Sequence, residues 1–207
     1  MKRILMTGFE PFGDWKINPS WDALELAENR GLFDRLEVSL ARIPVTYGGA
    51  FAAFERAVRE HQPVAAVSFG LHGGMRGRDA DAIYIETTAR NRDGAGKADN
   101  AGVMRAAIEI EPGSPPQLQS TLPMSAMIGA LKRAGFNAQS SDDAGAYLCN
   151  HLFYRGALLC GGRFPYGFIH VPPVESQGGV LTLEQLARVA AAVAGTVAAA
   201  VIEEPAK

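Results

Sequence analysis

The chain has only two cysteines, Cys149 and Cys160, which excludes a disulfide-stapled scaffold. Histidine is scarce too: His61, His72, His151 and His170 are all there are to serve a base or a metal. No charge sign is in excess, with 20 Lys and Arg against 22 Asp and Glu, and that balance gives no support for a nucleic-acid binder. No window of about 18 residues is continuously apolar without a charge or turn signal, so no membrane span is expected. The opening MKRILMTGFEPFG is broken too early by glycine, glutamate and proline for a secretory leader. Phosphate loops are missing as well: no GK[ST] follows the glycines of residues 72–78 and no GxGxxG occurs, which argues against a small nucleotide-binding α/β domain. What is there is a chain of 207 residues, 47% hydrophobic and 20% charged. That suits one globular domain spanning residues 1–207, expected in the cytoplasm.

Apolar runs ending in glycine or a polar loop alternate with segments of helical spacing. RILMT at residues 3–7, LEVSLARIPV at 36–45, VAAVSFG at 64–70, AIYIETTA at 82–89, FNAQSS at 136–141 and YGFIHVP at 166–172 read as strands. Helices are expected from Ser20 as cap to Gly31, from Tyr47 to Glu60, from Pro123 to Arg133, over AYLCNHLFYRGALLC, and over the C-terminal LTLEQLARVAAAVAGTVAAAVIEE with Thr182 as its cap. The stretch around 109–121, with EPGSPPQLQST, reads as an irregular internal loop. This alternation predicts an α/β fold whose sheet is covered on both faces.

Cys149 lies near the start of a predicted helix, where unpaired N–H groups and the helix dipole favour a thiolate. Free cysteine also commonly just fills a core, and Cys160, at the far end of the same helix, is read that way. His170 ends a strand and precedes Pro172–Pro173, the kind of position at which open sheets present active groups. His151 lies two residues from Cys149, a spacing that turns the two side chains apart. Alternation puts Tyr84 and Glu86 on one face of their strand, so Glu86 either orients a histidine or is solvated. His72, Asp79 and Asp81 lack metal-site spacing. Arg76, Arg78, Arg90, Arg92 and Lys97 read as loop charges.

Several stretches occur together and in order: TGFEPFG at 7–13, INPS at 17–20, YIETTARN at 84–91, DN at 99–100, STLP at 120–123, DDAGAYLCN at 142–150 and GFIHVP at 167–172. With them the chain resembles the pyroglutamyl peptidase I (pyrrolidone-carboxylate peptidase) family over nearly its full length. The resemblance implies a single-domain α/β/α sandwich with a mostly parallel central sheet. It implies a cofactor-free cysteine exopeptidase that removes N-terminal pyroglutamate from small peptides and assembles as a homo-oligomer, tetramer or dimer. The family's nucleophile falls on Cys149, its base on His170 and its orienting acid on Glu86. Its ring-holding aromatics fall on Phe9 and Phe12, and its loop-ordering asparagine on Asn18. A flat γ-lactam suits a slot between aromatic faces. Backbone groups of the glycine-rich loops would meet its polar edge, and N–H groups at the start of the Cys149 helix would form an oxyanion hole.

Two features depart from the family pattern. Gly96 occupies a position that usually carries an arginine, with Lys97 beside it and Arg90 and Arg92 in the same loop. The stretch from Gly70 to Glu86 is longer than usual, the extra residues lying in HGGMRGRDAD. Trp15 reads as a further pocket wall or an interface anchor. These departures leave two other readings beside the peptidase: a thiol amidase of altered substrate range, and a binding protein that keeps the pocket with little or no turnover.

Overall fold

The computed structural model describes residues 2–72 and 79–203, with the backbone alone at 202 and 203. Six strands form the main sheet: β1 (Ile4–Phe9), β2 (Val38–Ile43), β3 (Ala65–Leu71), β4 (Ile83–Glu86), β7 (Ala138–Ser141) and β8 (Tyr166–Val171). Their order is β2-β1-β3-β8-β4-β7. All neighbours are parallel except β4 and β8, which run antiparallel. The helices α1 (Pro19–Asn29), α2 (Ala50–His61), α3 (Met124–Arg133), α4 (Leu148–Cys160) and α5 (Leu183–Glu203) cover both faces of this sheet. The expected α/β/α sandwich with a mostly parallel sheet is therefore the observed architecture.

The strands are buried on both sides, which is why they read as continuous apolar runs rather than alternating ones. Alternation still sorts their side chains. Ile4, Met6, Val67, Phe69, Ile83, Ile85, Ile169 and Val171 join one core with Leu24 of α1, Leu131 of α3 and Val189, Val193 and Val197 of α5. Leu5, Ala66, Tyr166 and Phe168 join the other with Phe54 of α2 and Leu152 and Phe153 of α4. Gly70, Glu86 and His170 fall on the second parity, so strand geometry alone directs them to the α4 face. By length and composition α5 would suffice to cross a bilayer. Here its valine and alanine stripe packs against α1 and α3. Thr182 caps α5 as expected, with Oγ1 accepting from Gln185 N–H while the Gln185 side chain accepts from Thr182 N–H.

Three local expectations are corrected. Asn18, not Ser20, caps α1: its Oδ1 accepts from Ser20 N–H at 3.1 Å, and Pro19 opens the helix, its ring presetting φ. AIYIETTA is two strands, because the chain leaves the main sheet at Thr87. Thr87 N–H donates to Ser141 O, and its carbonyl accepts from Ser120. Residues Thr88–Arg90 (β5) then pair with Gln117–Gln119 (β6) in a separate antiparallel ribbon. β6 lies inside the proline-rich stretch read as irregular, where Pro115 and Pro116 mask a three-residue strand.

Candidate active site

Residues from three elements meet on the α4 face. Tyr84 stands opposite His170 across the antiparallel β4–β8 pair, and Glu86 opposite Phe168. Glu86 is thus the same-face diagonal neighbour of His170, within side-chain reach. His170 Nδ1 lies 2.7 Å from Glu86 Oε1, and a carboxylate acceptor there puts the proton on Nδ1. Both side chains are fully buried, at 1% and 0% exposure. On the other side, the Cys149 side chain stands against His170 and favours its charged form. Burial works against the imidazolium, but Cys149 and then Glu86 outweigh it and lift His170 to about 9.

Cys149 occupies the first turn of α4, whose N-terminus carries no side-chain cap. The first-turn N–H groups are therefore left for a ligand. Gly70 pairs with His170 in the β3–β8 register and passes directly under Cys149: a Cβ there would stand 2.8 Å from Cys149 Sγ and 2.7 Å from Phe168 Cζ. Only a residue without a side chain lets sulfur, ring and strand approach this closely. Gly70→Ala is expected to keep the fold and lower kcat by about 10²-fold through displacement of the sulfur. Parallel circular dichroism and steady-state kinetics would check it, and full activity would show that Sγ is not held here.

Beside Cys149 opens a small cleft, lined by Phe9, Phe12, Val45, Leu71, Tyr147, Leu148 and Cys149. Its walls are aromatic and aliphatic, as suits a small flat ligand. Asn18, 1% exposed, lies outside the lining and orders the loop that carries it. Its Nδ2 donates to Glu10 O at 2.9 Å, and its Oδ1 accepts from Ser20 N and Oγ. Ser20 Oγ in turn accepts from Phe9 N–H. A larger cleft, between the C-terminal ends of α2 and α4, is lined by Val58, Arg59, Leu159 and Phe164. It holds no nucleophile.

A family model described as pyroglutamyl peptidase matches residues 2–202. The chain belongs to the pyroglutamyl peptidase family. The pyrrolidone-carboxylate peptidase of Gloeobacter violaceus is 39% identical to it over 178 residues, covering 84% of this chain and 83% of that protein. The one from Aliivibrio fischeri is 35% identical over 193 residues, with 90% and 88% covered. The crystal structure of Bacillus amyloliquefaciens pyroglutamyl peptidase I superposes with a TM-score of 0.88 at 29% identity, covering 96% of this chain and 98% of that one. Pyrrolidone carboxyl peptidase from Thermus thermophilus gives 0.84 at 30% identity, with 93% and 99% covered.

Not every residue singled out in the sequence of this pyroglutamyl peptidase family member reaches the cleft. Trp15 is 40% exposed and outside the lining. Arg90 turns to Asp142, donating to its carbonyl at 3.0 Å, and Arg92 is exposed. His72 bonds Ala82 O through Nε2. Asp79 accepts from Gln139 and Asp81 from Asn137. Arg76 and Arg78, with the rest of residues 73–78 of the HGGMRGRDAD stretch, lie outside the described residues. Cys160 is 1% exposed, and burial pushes its thiol up to about 12, as a packing cysteine should behave.

Sequence reasoning missed the residues that hold α4 in place. Asn150 Oδ1 accepts from Arg90 N–H, while its Nδ2 donates to Arg90 O and Arg92 O. His151 Nδ1 lies 3.0 Å from Asp93 Oδ2, and Arg105 donates to the same oxygen at 2.9 Å. Both Asn150 and His151 follow Cys149 directly. Their type and buried position were the available signal; their partners, some sixty positions earlier, were not.

Proposed function

We propose that this chain hydrolyses the amide bond that follows an N-terminal pyroglutamyl residue, with Cys149 as nucleophile, His170 as acid–base and Glu86 as its orienting carboxylate. The observation that carries the reading is the His170–Glu86 hydrogen bond, with Cys149 Sγ over Gly70, the β3 partner of His170, beside an apolar cleft ringed by Phe9, Phe12 and Tyr147. The pyroglutamyl ring is flat and lacks a free α-amine, so it needs aromatic faces rather than a carboxylate. With the ring in the cleft, Sγ, its proton passed to His170, attacks the scissile carbonyl and the oxyanion turns to the uncapped first-turn N–H groups of α4. His170, which holds its proton up to about pH 9, gives it to the leaving amine as the C–N bond breaks. The thioester that remains is opened by water, whose proton His170 accepts, releasing pyroglutamate and the free thiol. Nothing in this sequence of steps needs a cofactor.

Release of a fluorescent amine from pyroglutamyl, prolyl and alanyl amides tests the reading directly. The pyroglutamyl amide is expected to react on the order of 10²-fold faster than the other two, because a site built around the lactam leaves buried groups unpaired with either analogue. Equal rates on all three would instead favour an amidase of altered range. Tight binding of pyroglutamate analogues without amine release would favour a pocket that no longer turns over. A cytoplasmic homo-oligomer completes the proposal. Val103, Met104 and Ile108, at 48%, 62% and 49% exposure, offer apolar surface of the kind that assembly covers.

A further inference from the structure

The cleft beside Cys149 carries one charge that the reaction does not use. Lys97 Nζ stands 4.3 Å from the centre of the Phe12 ring and 5.4 Å from that of Tyr147, two of the residues that wall the cleft. The loop that carries it is held on both sides. Gly96, at φ +64°, turns the chain ahead of it. Ala98 O accepts from Tyr147 Oη at 2.8 Å. Asn100 donates from its backbone to Val45 O and from Nδ2 to Pro11 O, each at 2.9 Å. The backbone is thereby fixed at the mouth of the cleft, while the Lys97 side chain itself is exposed.

Its charge meets solvent and aromatic faces. Among the described residues no carboxylate lies within ion-pair distance of Lys97, and none of its N–H donors has an acceptor. Asp99 and Glu10, acids that help to hold this loop and its neighbours, are engaged elsewhere. Asp99 accepts from the backbone N–H groups of Tyr47, Ala101 and Val103, and Glu10 from Val45 N–H and Asn100 Nδ2. His170, deeper at this end, is bound to Glu86. Aromatic faces hold an ammonium but satisfy none of its hydrogen bonds.

The pyroglutamyl ring is neutral and cannot answer that charge. Within one residue of the scissile bond, the formal charge that every pyroglutamyl dipeptide carries is the α-carboxylate of its leaving residue, which ends the chain. That group lies one residue, about 3.5 Å of extended backbone, beyond the bond being cut. A lysine on its flexible four-carbon stem can swing from the rings to meet it. We infer that Lys97 is a specificity-determining residue that pairs with the free carboxylate of the leaving amino acid, so that pyroglutamyl dipeptides are the favoured substrate class. The inference rests on the pyroglutamyl-peptidase reading above. In longer peptides an uncharged amide takes the place of that carboxylate, and the pairing is lost.

The test compares pyroglutamyl-alanine with pyroglutamyl-alanine amide, using the full chain, with the fluorogenic pyroglutamyl amide alongside. At low salt the free acid is expected to have the higher kcat/KM by about five- to tenfold, with the difference in KM. It should shrink toward unity in 0.5 M salt as the pair is screened. Lys97→Met should bring the ratio close to one, Lys97→Glu should invert it, and Lys97→Arg should retain it. A merely structural role for Lys97 would lower both rates together and leave the ratio standing. A ratio near one in the wild type, or an unchanged ratio in Lys97→Met, overturns the inference while hydrolysis of the fluorogenic amide leaves the peptidase reading intact. Failure to cleave all three compounds overturns that reading and the inference with it.

Discussion

Replacing Cys149 by alanine is expected to lower turnover of a pyroglutamyl amide by a factor on the order of 10⁴ or more without unfolding the chain. The loss follows from chemistry: no other nucleophile lines the cleft, and Cys160, buried with its thiol pushed up to about 12, is no substitute. The fold should tolerate the change because Cys149 is only half-buried. Lost activity would therefore report lost chemistry rather than lost structure. The substitution has a second readout. Cys149 contributes the largest of the effects that raise His170, against a burial that pushes it down. With the sulfur gone, the midpoint of the His170 ring signals in an NMR titration should fall below about 9. Incubation of the wild type with substrate, followed by acid quench and intact-mass measurement, should show a pyroglutamyl adduct that Cys149→Ala lacks. An adduct on the alanine variant, or undiminished turnover, would remove Cys149 from its assigned place.

How far the site was legible in the sequence depends on which interactions are local. Strand alternation was sufficient to put Glu86 with Tyr84 on one face, and the helix-start position of Cys149 was visible from its neighbours. The contact between Glu86 and His170 was not visible, because it spans 84 positions and exists only because β4 runs against β8. Nothing in IYIE specifies direction. The resemblance to a family supplied that link before the topology did. Capping shows the same limit at short range: Ser20 and Asn18 are both good caps, and the choice fell to Asn18 because Ser20 Oγ is drawn into the network under Phe9. The separation of β4 from β5 has a similar origin, since AIYIETTA is uniformly strand-like and the break at Thr87 is imposed by Ser141 and Ser120. Asp93, Asn150 and His151 stayed unread for a related reason. Buried polar groups are justified only by partners, and theirs come from a loop whose own sequence, rich in glycine and charge, reads as solvent-facing.

Glu86→Gln is expected to reduce kcat by about 10³- to 10⁴-fold while sparing substrate binding. The substituted side chain has nearly the same shape, so the buried site should stay filled, but it differs in charge and in hydrogen bonding. If the amide oxygen faces Nδ1, the imidazole keeps its tautomer and loses a negative neighbour. If the amide nitrogen faces it, the proton is driven to Nε2, and the ring can no longer accept the thiol proton there. Either arrangement weakens the acid–base role. The charge effect has a definite sign. Burial lowers the His170 value, whereas Cys149 and Glu86 raise it to about 9. Deleting the carboxylate therefore destabilises the imidazolium, which then loses its proton at lower pH. In the wild type, kcat/KM should fall on the alkaline side with an apparent pKa near 9, where the proton destined for the leaving amine is lost. In Glu86→Gln that alkaline limb should move toward neutrality and should track the His170 midpoint measured by NMR. A large loss of kcat with no movement of the limb would mean that Glu86 holds the ring in place without tuning its proton. A change in KM alone would mean that Glu86 serves substrate binding instead of the histidine.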